Sequence, residues 1–144
     1  MGLVLFDTNI LIDHTVGIIE ATRELSGYDD AAISAINWME VACALTPAQI
    51  DQFEQDLMDA DVAIVQTTVE IMRRSAEIRG GKYQRPGTKA PKLPDCIIWA
   101  TADLAGRLII TRDPDGFGGR QNPQVRVPYK NTDGVITDVL PLPE

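Results

Sequence analysis

The stretch LVLFDTNILID, residues 3–13, decides the fold of this chain. It opens with apolar residues and changes abruptly to a carboxylate at Asp7. A run this short that is apolar throughout predicts a strand buried on both faces, as in the centre of a parallel sheet. Asp7 then lies at the carboxyl end of that strand, the edge at which open α/β sheets bind ligands. It needs a cation or hydrogen-bond donors there, because burying an unpaired carboxylate is costly.

Length and composition are those of an ordinary globular protein. The chain has 144 residues, of which 44% are hydrophobic and 24% are charged, and this fits one domain over residues 1–144. No apolar run approaches the roughly 20 residues that a membrane span requires. The N-terminus also lacks the basic segment followed by an apolar one that is typical of a signal peptide. We therefore expect a cytoplasmic protein that does not enter a membrane.

Several residues that often carry chemistry are better interpreted as structural here. Cys43 and Cys96 lie in apolar segments without metal-type spacing, so we expect both to be reduced core residues. The single histidine, His14, makes a His-based zinc site or a Ser-His-Asp triad improbable, and we expect it to make a local polar contact. Trp38 and Trp99 have apolar neighbours on predicted helices, which favours the core over stacking on bases.

The charge is acidic overall but unevenly distributed. A net charge of -8 argues against a protein that coats DNA, whose surface would be basic. Residues 51–61 contain acids and no base, whereas residues 73–92 contain more than half of the 13 Lys and Arg residues. This polarity predicts one anion-facing side on an acidic body. The structural alternative for the basic segment is a solvated connection that keeps the protein soluble.

Short apolar runs alternate with helical patterns along the chain. Beyond the first strand, strands are predicted at 31–34, 62–65 and 108–110, with an edge strand at 125–127 and a short closing segment at 135–140. Helical segments are predicted at 9–13, 18–25, 35–45, 47–60, 67–80 and 94–104. Residues 80–94 are rich in Gly, Pro and Lys and predict a loop. Strands that alternate with helices indicate an α/β fold with a mostly parallel sheet.

Two helix starts carry recognisable capping signals. Thr46 followed by Pro47 combines a preferred N-cap residue with proline at the first helical position. Thr67 with Glu70 has the spacing of a capping box and predicts where the next helix begins.

Four carboxylates from distant parts of the chain fall at one edge of the predicted sheet. They are Asp7 after the first strand, Glu40 in the helix after the second, Asp95 in the first turn of the helix before the fourth, and Asp113 after the fourth. Because βα connections open at the carboxyl edge, three of these acids should meet there, and Asp95 joins them if its helix begins near that edge. Clustered carboxylates raise each other's pKa, and a divalent cation with hard oxygen ligands, Mg²⁺ or Mn²⁺, removes the conflict.

An acidic metal site beside a basic loop predicts a phosphodiester substrate. A divalent ion can acidify a bound water and clamp phosphoryl oxygens during in-line displacement. Basic side chains nearby would hold the flanking phosphates, namely Arg112, Lys82, Arg85 and Lys89. Thr8 or Asn9 would orient ligands or water from just outside the site.

Each acid also has a purely structural interpretation. The alternatives are a cap for the following turn at Asp7, a capping box of Asn37 with Glu40, a favourable helix dipole at Asp95 and an ordinary turn at Asp113. The metal hypothesis depends on the coincidence of the four at one edge. Asp115 competes with Asp113 as the fourth acid, and we expect Asp113 because it lies nearer to the strand end.

The same residues match a known family pattern in order and spacing over nearly the whole chain. The matching segments are FDTNIL at 6–11, SAINWMEV at 34–41, KLPDCIIWATA at 92–102 and TRD at 111–113, with Phe117 beyond. The chain thereby resembles PIN-domain ribonucleases, in particular the VapC-type toxins of toxin–antitoxin pairs. Cys96 and Trp99 depart from the pattern, which commonly has small residues at these helix positions.

The resemblance has consequences for fold, activity and partners. It implies a three-layer α/β/α sandwich and Mg²⁺- or Mn²⁺-dependent cleavage of RNA. The acidic cluster that it implies consists of Asp7, Glu40, Asp95 and Asp113. It further implies a homodimer neutralised by a small antitoxin protein whose C-terminal segment lies across the toxin and obstructs the site.

Other functions share parts of this pattern. A phosphatase of the haloacid dehalogenase type would carry a second Asp where this chain has Asn9. A receiver domain would need an acidic pair after the first strand and an Asp after the third, where Gln66 and Thr67 stand. A catalytically silent module that binds RNA or protein would not require all the carboxylates. A solitary PIN-type RNA-processing nuclease is the alternative to a toxin.

Overall fold

The computed structural model describes residues 2–82 and 90–143, the side chain of Lys82 excepted. Arg85 and Lys89, which the sequence predicts to contact phosphate, lie outside the described residues, as does much of the predicted loop at 80–94.

The central sheet is parallel throughout, as the sequence predicted. Its strands are β1 Leu3–Phe6, β2 Asp30–Ser34, β3 Val62–Val65, β4 Leu108–Ile110 and β5 Val125–Arg126. They lie in the order β3-β2-β1-β4-β5, which makes β1 the central strand. Val4 is in register with Ala31 of β2 and Leu108 of β4. The chain moves outward from β1 in both directions, so the strand order reverses between β1 and β4, where open α/β sheets form a crevice.

Helices cover both faces of this sheet. They are α1 Thr8–Thr15, α2 Ile19–Leu25, α3 Ala35–Ala42, α4 Pro47–Asp59, α5 Val69–Glu77, which continues into a π-helical turn Ile78–Lys82, and α6 Leu93–Ala105. A 3₁₀ turn, Pro114–Phe117, follows β4. Two short strands, β6 Lys130–Thr132 and β7 Val135–Thr137, pair as an antiparallel hairpin outside the sheet. The sequence predicted a segment near β7 but missed the hairpin.

Successive side chains of β1 point to opposite faces of the sheet, which explains why the core is divided into two layers. Val4 and Phe6 pack into one hydrophobic cluster together with residues of α1, α2 and α4. Leu5, on the opposite face, packs into a second cluster with residues of α5 and α6. All three side chains are at most 1% exposed, and burial of each contributes about 1.5–3 kcal/mol to stability. The result is the predicted α/β/α sandwich.

The capping predictions have different outcomes. Thr46 is the N-cap of α4 and Pro47 lies in its first turn, as predicted, and Gln49 adds a capping box that the sequence analysis did not predict. For α5 the predicted box is wrong, because the N-cap is Thr68, whose hydroxyl accepts from the backbone N–H of Ile71 at 3.2 Å. The two adjacent threonines compete for one position, and the shift by one residue removes Glu70 from the third helical position.

The remaining structural predictions are mostly confirmed. His14 contacts Thr22 and Asp56, both at 2.8 Å. Trp99 is buried in the second cluster, and Cys96 is buried as well. The prediction for Cys43 is wrong: this residue is exposed at the end of α3, beyond the part of the helix that faces the core. Among the described helices, none has the length and apolar character needed to cross a membrane.

Candidate active site

Asp7 lies directly after β1, where the strand order reverses. Its backbone N–H donates to Ile110 O of β4 at 2.9 Å, and its side chain is only 6% exposed. Oδ1 accepts from the backbone N–H of Thr8 at 2.8 Å, which caps α1. Oδ2 accepts from Thr111 Oγ1 at 2.7 Å and from Asn9 Nδ2 at 3.3 Å. Asp7 therefore caps α1, as the structural interpretation predicts. It also lies at the edge of the sheet where the crevice forms.

Thr8 connects Glu40 to Asp7, because it donates hydrogen bonds to both carboxylates. Thr8 Oγ1 donates to Glu40 Oε1 at 2.7 Å and accepts from Asn37 Nδ2 at 3.0 Å. Asn37 closes its capping box with Ser34, whose backbone N–H donates to Asn37 Oδ1 at 2.8 Å. The structural interpretation of Glu40 as the partner of Asn37 is therefore wrong. The glutamate is instead directed towards the start of α1.

Thr111 connects the exit of β4 to the same point. It is fully buried, and its hydroxyl donates to Asp7 while accepting from the backbone N–H of Asp113 at 3.0 Å. The hydroxyl also accepts from Asn9 Nδ2 at 3.3 Å. One threonine thus holds the orientation of Asp7 and the path of the chain into Asp113.

The four predicted acids share one electrostatic environment. Burial raises the pKa of Asp7, and repulsion from Glu40 and Asp113 adds to it, against hydrogen bonds from Thr111 and Thr8 that lower it. The pKa of Asp95 rises to about 6 because of burial and then repulsion from Asp7, Glu40 and Asp113. Asp95 is therefore near enough to Asp7, Glu40 and Asp113 for their charges to raise its pKa. In the loop after β4, the charge of Asp113 is among the main causes that raise the pKa of Asp7 and of Asp95, and the charge of Asp115 is not.

Gly116 lets the loop after β4 pass beside Asp95. A Cβ at this glycine would lie 2.8 Å from Asp95 Oδ2, so only a residue without a side chain fits against the undisplaced carboxylate. The next residue, Phe117, is buried and packs edge-on against Trp99, with ring centroids 6.2 Å apart. Trp99 lies one helical turn after Asp95, so this contact fixes the loop against α6. The family pattern in the sequence includes Phe117 but did not predict this contact with Trp99.

The predicted substrate contacts have mixed outcomes. Thr8 and Asn9 both donate to acids of the cluster, the position expected of residues that orient ligands. Arg112 has a partner that the sequence did not predict, since its Nε and Nη2 donate to the buried carboxylate of Asp13 at 2.7 and 3.2 Å. Lys82 ends the π-helical turn after α5, and its side chain lies outside what the structure describes, so its phosphate contact stays a prediction.

The acids of the cluster carry oxygen atoms of the kind that a hard divalent cation prefers, but in this structure neutral donors engage two of these acids. In the part of the chain that the structure describes, no group of three or more His, Cys, Asp or Glu side chains is placed to hold one ion. Thr8 occupies an oxygen of Glu40, and Thr111 with Asn9 occupies one of Asp7. Carboxylate oxygens are nevertheless the ligands that Mg²⁺ and Mn²⁺ prefer. The repulsion that raises the pKa of Asp7 and Asp95 is what a cation would relieve.

Similarity to known proteins agrees with this geometry. A chain in a toxin–antitoxin complex from Klebsiella pneumoniae is 36% identical, with a TM-score of 0.70, and the match covers 88% of this chain and 98% of that one. FitAcB from Neisseria gonorrhoeae has a chain of similar fold, with 22% identity, a TM-score of 0.60 and coverage of 80% and 91%. VapBC2 from Rickettsia felis, bound to a DNA fragment from its promoter, is also similar in fold, with 16% identity, a TM-score of 0.60 and coverage of 85% and 94%.

Comparison with curated proteins found no match. Comparison with protein families matched residues 4–118 to the PIN domain, a span that contains every acid of the cluster. With most of its length matched in this way, the chain belongs to the PIN domain family.

Proposed function

We propose that this protein is a Mg²⁺- or Mn²⁺-dependent endoribonuclease and the toxin of a toxin–antitoxin pair. The observation that supports the proposal is the pKa of Asp95, which burial and then repulsion from Asp7, Glu40 and Asp113 raise to about 6. Membership of the PIN domain family supports nuclease activity. Similarity over 88% of the chain to a component of a toxin–antitoxin complex supports the biological role.

The side chains of this chain have distinct roles in the proposal. Asp7 and Asp95 would hold the ion, with Glu40 and Asp113 as further oxygen ligands. Thr111 and Thr8 orient Asp7 and Glu40, so two acids are aligned before substrate arrives. When bound, a divalent ion supplies positive charge that makes water more acidic and neutralises phosphoryl oxygens. That is the chemistry needed for in-line hydrolysis of a phosphodiester.

Substrate and protein partners follow from the same reasoning. An acidic protein with a net charge of -8 needs a local basic surface to hold RNA. The segment 73–92 supplies it, and we propose that Lys82, Arg85 and Lys89 contact the phosphates beside the scissile bond. A small antitoxin protein and a second copy of this chain are the proposed protein partners.

The direct test is an assay on single-stranded RNA with the purified protein. We expect cleavage in Mg²⁺ or Mn²⁺, none in EDTA, and full recovery when the metal is restored in excess. Single-stranded DNA of the same sequence is the control and should stay intact. Cleavage that is indifferent to EDTA would contradict the metal site, and tight binding of RNA without cleavage would identify a silent binding module.

The pKa of Asp95 predicts how metal binding depends on pH. Because this pKa is raised from 3.8 to about 6, the carboxyl is protonated below that pH and ionised above it. Affinity for Mn²⁺ should therefore rise from pH 5 to pH 7 and level off beyond, as measured by electron paramagnetic resonance. In EDTA the sign reverses for stability: the folded state binds this proton more tightly than the unfolded chain, so Tm should fall as pH rises through about 6. Asp95→Asn should remove both effects, and their persistence in that variant would assign them to another group.

Substitution at Asp113 and Asp115 decides between the two acids of their loop. Asp113→Asn should lower the cleavage rate by at least about tenfold, since perturbing residues that only orient metal ligands already costs about 10–100-fold. Asp115→Asn should change it less than about twofold, since surface changes away from a site have small effects. Initial rates under saturating Mg²⁺ measure both, and a larger effect at Asp115 would reverse the assignment.

A further inference from the structure

A buried carboxylate that the proposed chemistry does not use, Asp13, lies next to the site. It is 3% exposed, a position that is costly for a charge unless it is fully paired. Its oxygens accept from Arg112 Nε and Nη2 at 2.7 and 3.2 Å, from Tyr129 Oη at 2.8 Å and from Asn131 Nδ2 at 3.4 Å. Donors from two distant parts of the chain therefore converge on one residue of α1.

Asp13 is linked to the acidic cluster through Arg112 and Asn9. Asn9 lies four residues before Asp13 on the same face of α1. The backbone N–H of Arg112 donates to Asn9 Oδ1 at 3.1 Å, which directs the other end of that amide, Nδ2, to Asp7 Oδ2 and Thr111 Oγ1. Arg112 is thus bound to α1 twice, by its backbone at Asn9 and by its guanidinium at Asp13. Both bonds set how the exit of β4 lies against α1, where Asp7 sits.

The remaining donors to Asp13 come from the C-terminal hairpin and from Tyr129 directly before it, beyond the residues matched to the PIN domain. Tyr129 is 1% exposed, and burial together with its bond to Asp13 raises the pKa of its hydroxyl, which therefore stays a donor. Asn131 is held in turn by the hairpin turn, because its Oδ1 accepts from the backbone N–H of Gly134 at 2.9 Å. The start of the hairpin and the residue before it therefore supply two side chains that are both bound to Asp13 of α1.

We propose that Asp13 and Tyr129 are positioning residues, through which the C-terminal hairpin holds Arg112 and Asn9 in the orientation that Asp7 requires. This inference rests on the proposed nuclease function and deepens it. Neither residue touches substrate in this role. The guanidinium of Arg112 serves as the connection to Asp13, which leaves phosphate binding to the basic segment before α6.

The chain contains a comparable control in a second carboxylate–arginine–tyrosine triad, in which Glu24 is buried and Tyr28 is half-buried. Glu24 accepts from Arg126 Nε and Nη2, each at 3.1 Å, and from Tyr28 Oη at 2.8 Å. The guanidinium of Arg126 also donates to Pro141 O at 3.0 Å. These side-chain bonds join α2 to β5 and the C-terminal segment. Tyr28→Phe therefore removes the same hydroxyl from the same kind of pair, without touching the residues that hold Asp7.

The test compares wild type, Tyr129→Phe, Asp13→Asn and Tyr28→Phe by Tm, by the Kd for Mn²⁺ from electron paramagnetic resonance, and by kcat and KM on single-stranded RNA. Both tyrosine variants should lose a similar few degrees of Tm, because each leaves one oxygen of a buried carboxylate with a donor fewer. Only Tyr129→Phe and Asp13→Asn should weaken Mn²⁺ binding, by about tenfold, and lower kcat without raising KM. Should Asp13→Asn not fold, Tyr129→Phe carries the comparison.

Three results would overturn the inference. Equal Kd and kcat in Tyr129→Phe and Tyr28→Phe would show that Tyr129 is merely structural. A raised KM with unchanged kcat would show that Arg112 contacts RNA. Wild-type protein that binds no Mn²⁺ would overturn both the proposed function and the positioning role. Wild-type protein that binds Mn²⁺ but cleaves no RNA would refute the nuclease alone, because the Kd values for Mn²⁺ still test the positioning role.

Discussion

Asp7→Asn should abolish RNA cleavage, by more than about 100-fold, and leave the fold intact or slightly more stable. Perturbing residues that only orient metal ligands already costs about 10–100-fold, and Asp7 is proposed as a ligand itself. The asparagine keeps an oxygen for the Thr8 N–H that starts α1, so the helix is retained. Initial rates in saturating Mg²⁺ and Mn²⁺ measure the effect.

Stability should change in the opposite direction to activity. The pKa of Asp7 lies above its ordinary 3.8 because of burial and repulsion from Glu40 and Asp113. Above that raised pKa the folded state holds an ionised carboxylate that it disfavours, and a neutral amide removes this cost. In EDTA at pH 7, Tm of Asp7→Asn should equal or exceed that of wild type, and the difference should shrink towards pH 4.

The control is Asp51→Asn, which removes an acid from the exposed surface of α4. It should keep wild-type cleavage and wild-type Tm within error. Full activity of Asp7→Asn in metal-replete buffer would refute the proposed site, whatever its stability.

Gly116→Ala should weaken Mn²⁺ binding towards the upper end of the 10–100-fold range that disturbed ligand geometry produces, about 50-fold. The new methyl group would lie 2.8 Å from Asp95 Oδ2, which is too close for carbon and oxygen. Either the carboxylate rotates away or the loop that carries Asp113 moves. Both movements separate ligands that the site brings together, so kcat should fall in parallel with metal affinity.

Gly80→Ala is the matched control for this prediction, because a Cβ at Gly80 meets nothing within 4 Å. It should leave the Kd for Mn²⁺ unchanged. Wild-type Mn²⁺ affinity in Gly116→Ala, at a normal Tm, would mean that Asp95 is not a ligand of the ion.

Local patterns in the sequence predicted the secondary structure well and its details less so. The apolar runs located β1 to β4, and the pattern at 125–127 located β5 as an edge strand. Errors arose where neighbouring residues compete for one role. Thr68 rather than Thr67 caps α5, and Asn37 pairs with Ser34 rather than with Glu40. Both outcomes depend on which of several neighbouring side chains lies within hydrogen-bond distance of a backbone N–H at the helix start. A sequence pattern does not resolve that choice to a single residue.

The sequence alone was enough to predict that β1 is a central strand, that Asp7 lies at the ligand-binding edge of the sheet, and that Glu40 and Asp113 lie at the same edge. Parallel βα topology brings these positions to one side of the sheet wherever the side chains point. Only the tertiary structure decided which donor holds which acid. Thr111 reaches Asp7 across 104 positions of sequence, and Tyr129 reaches Asp13 across 116. Contacts of this kind depend on how whole elements pack to within a fraction of an ångström, and no short-range pattern in the chain specifies that distance.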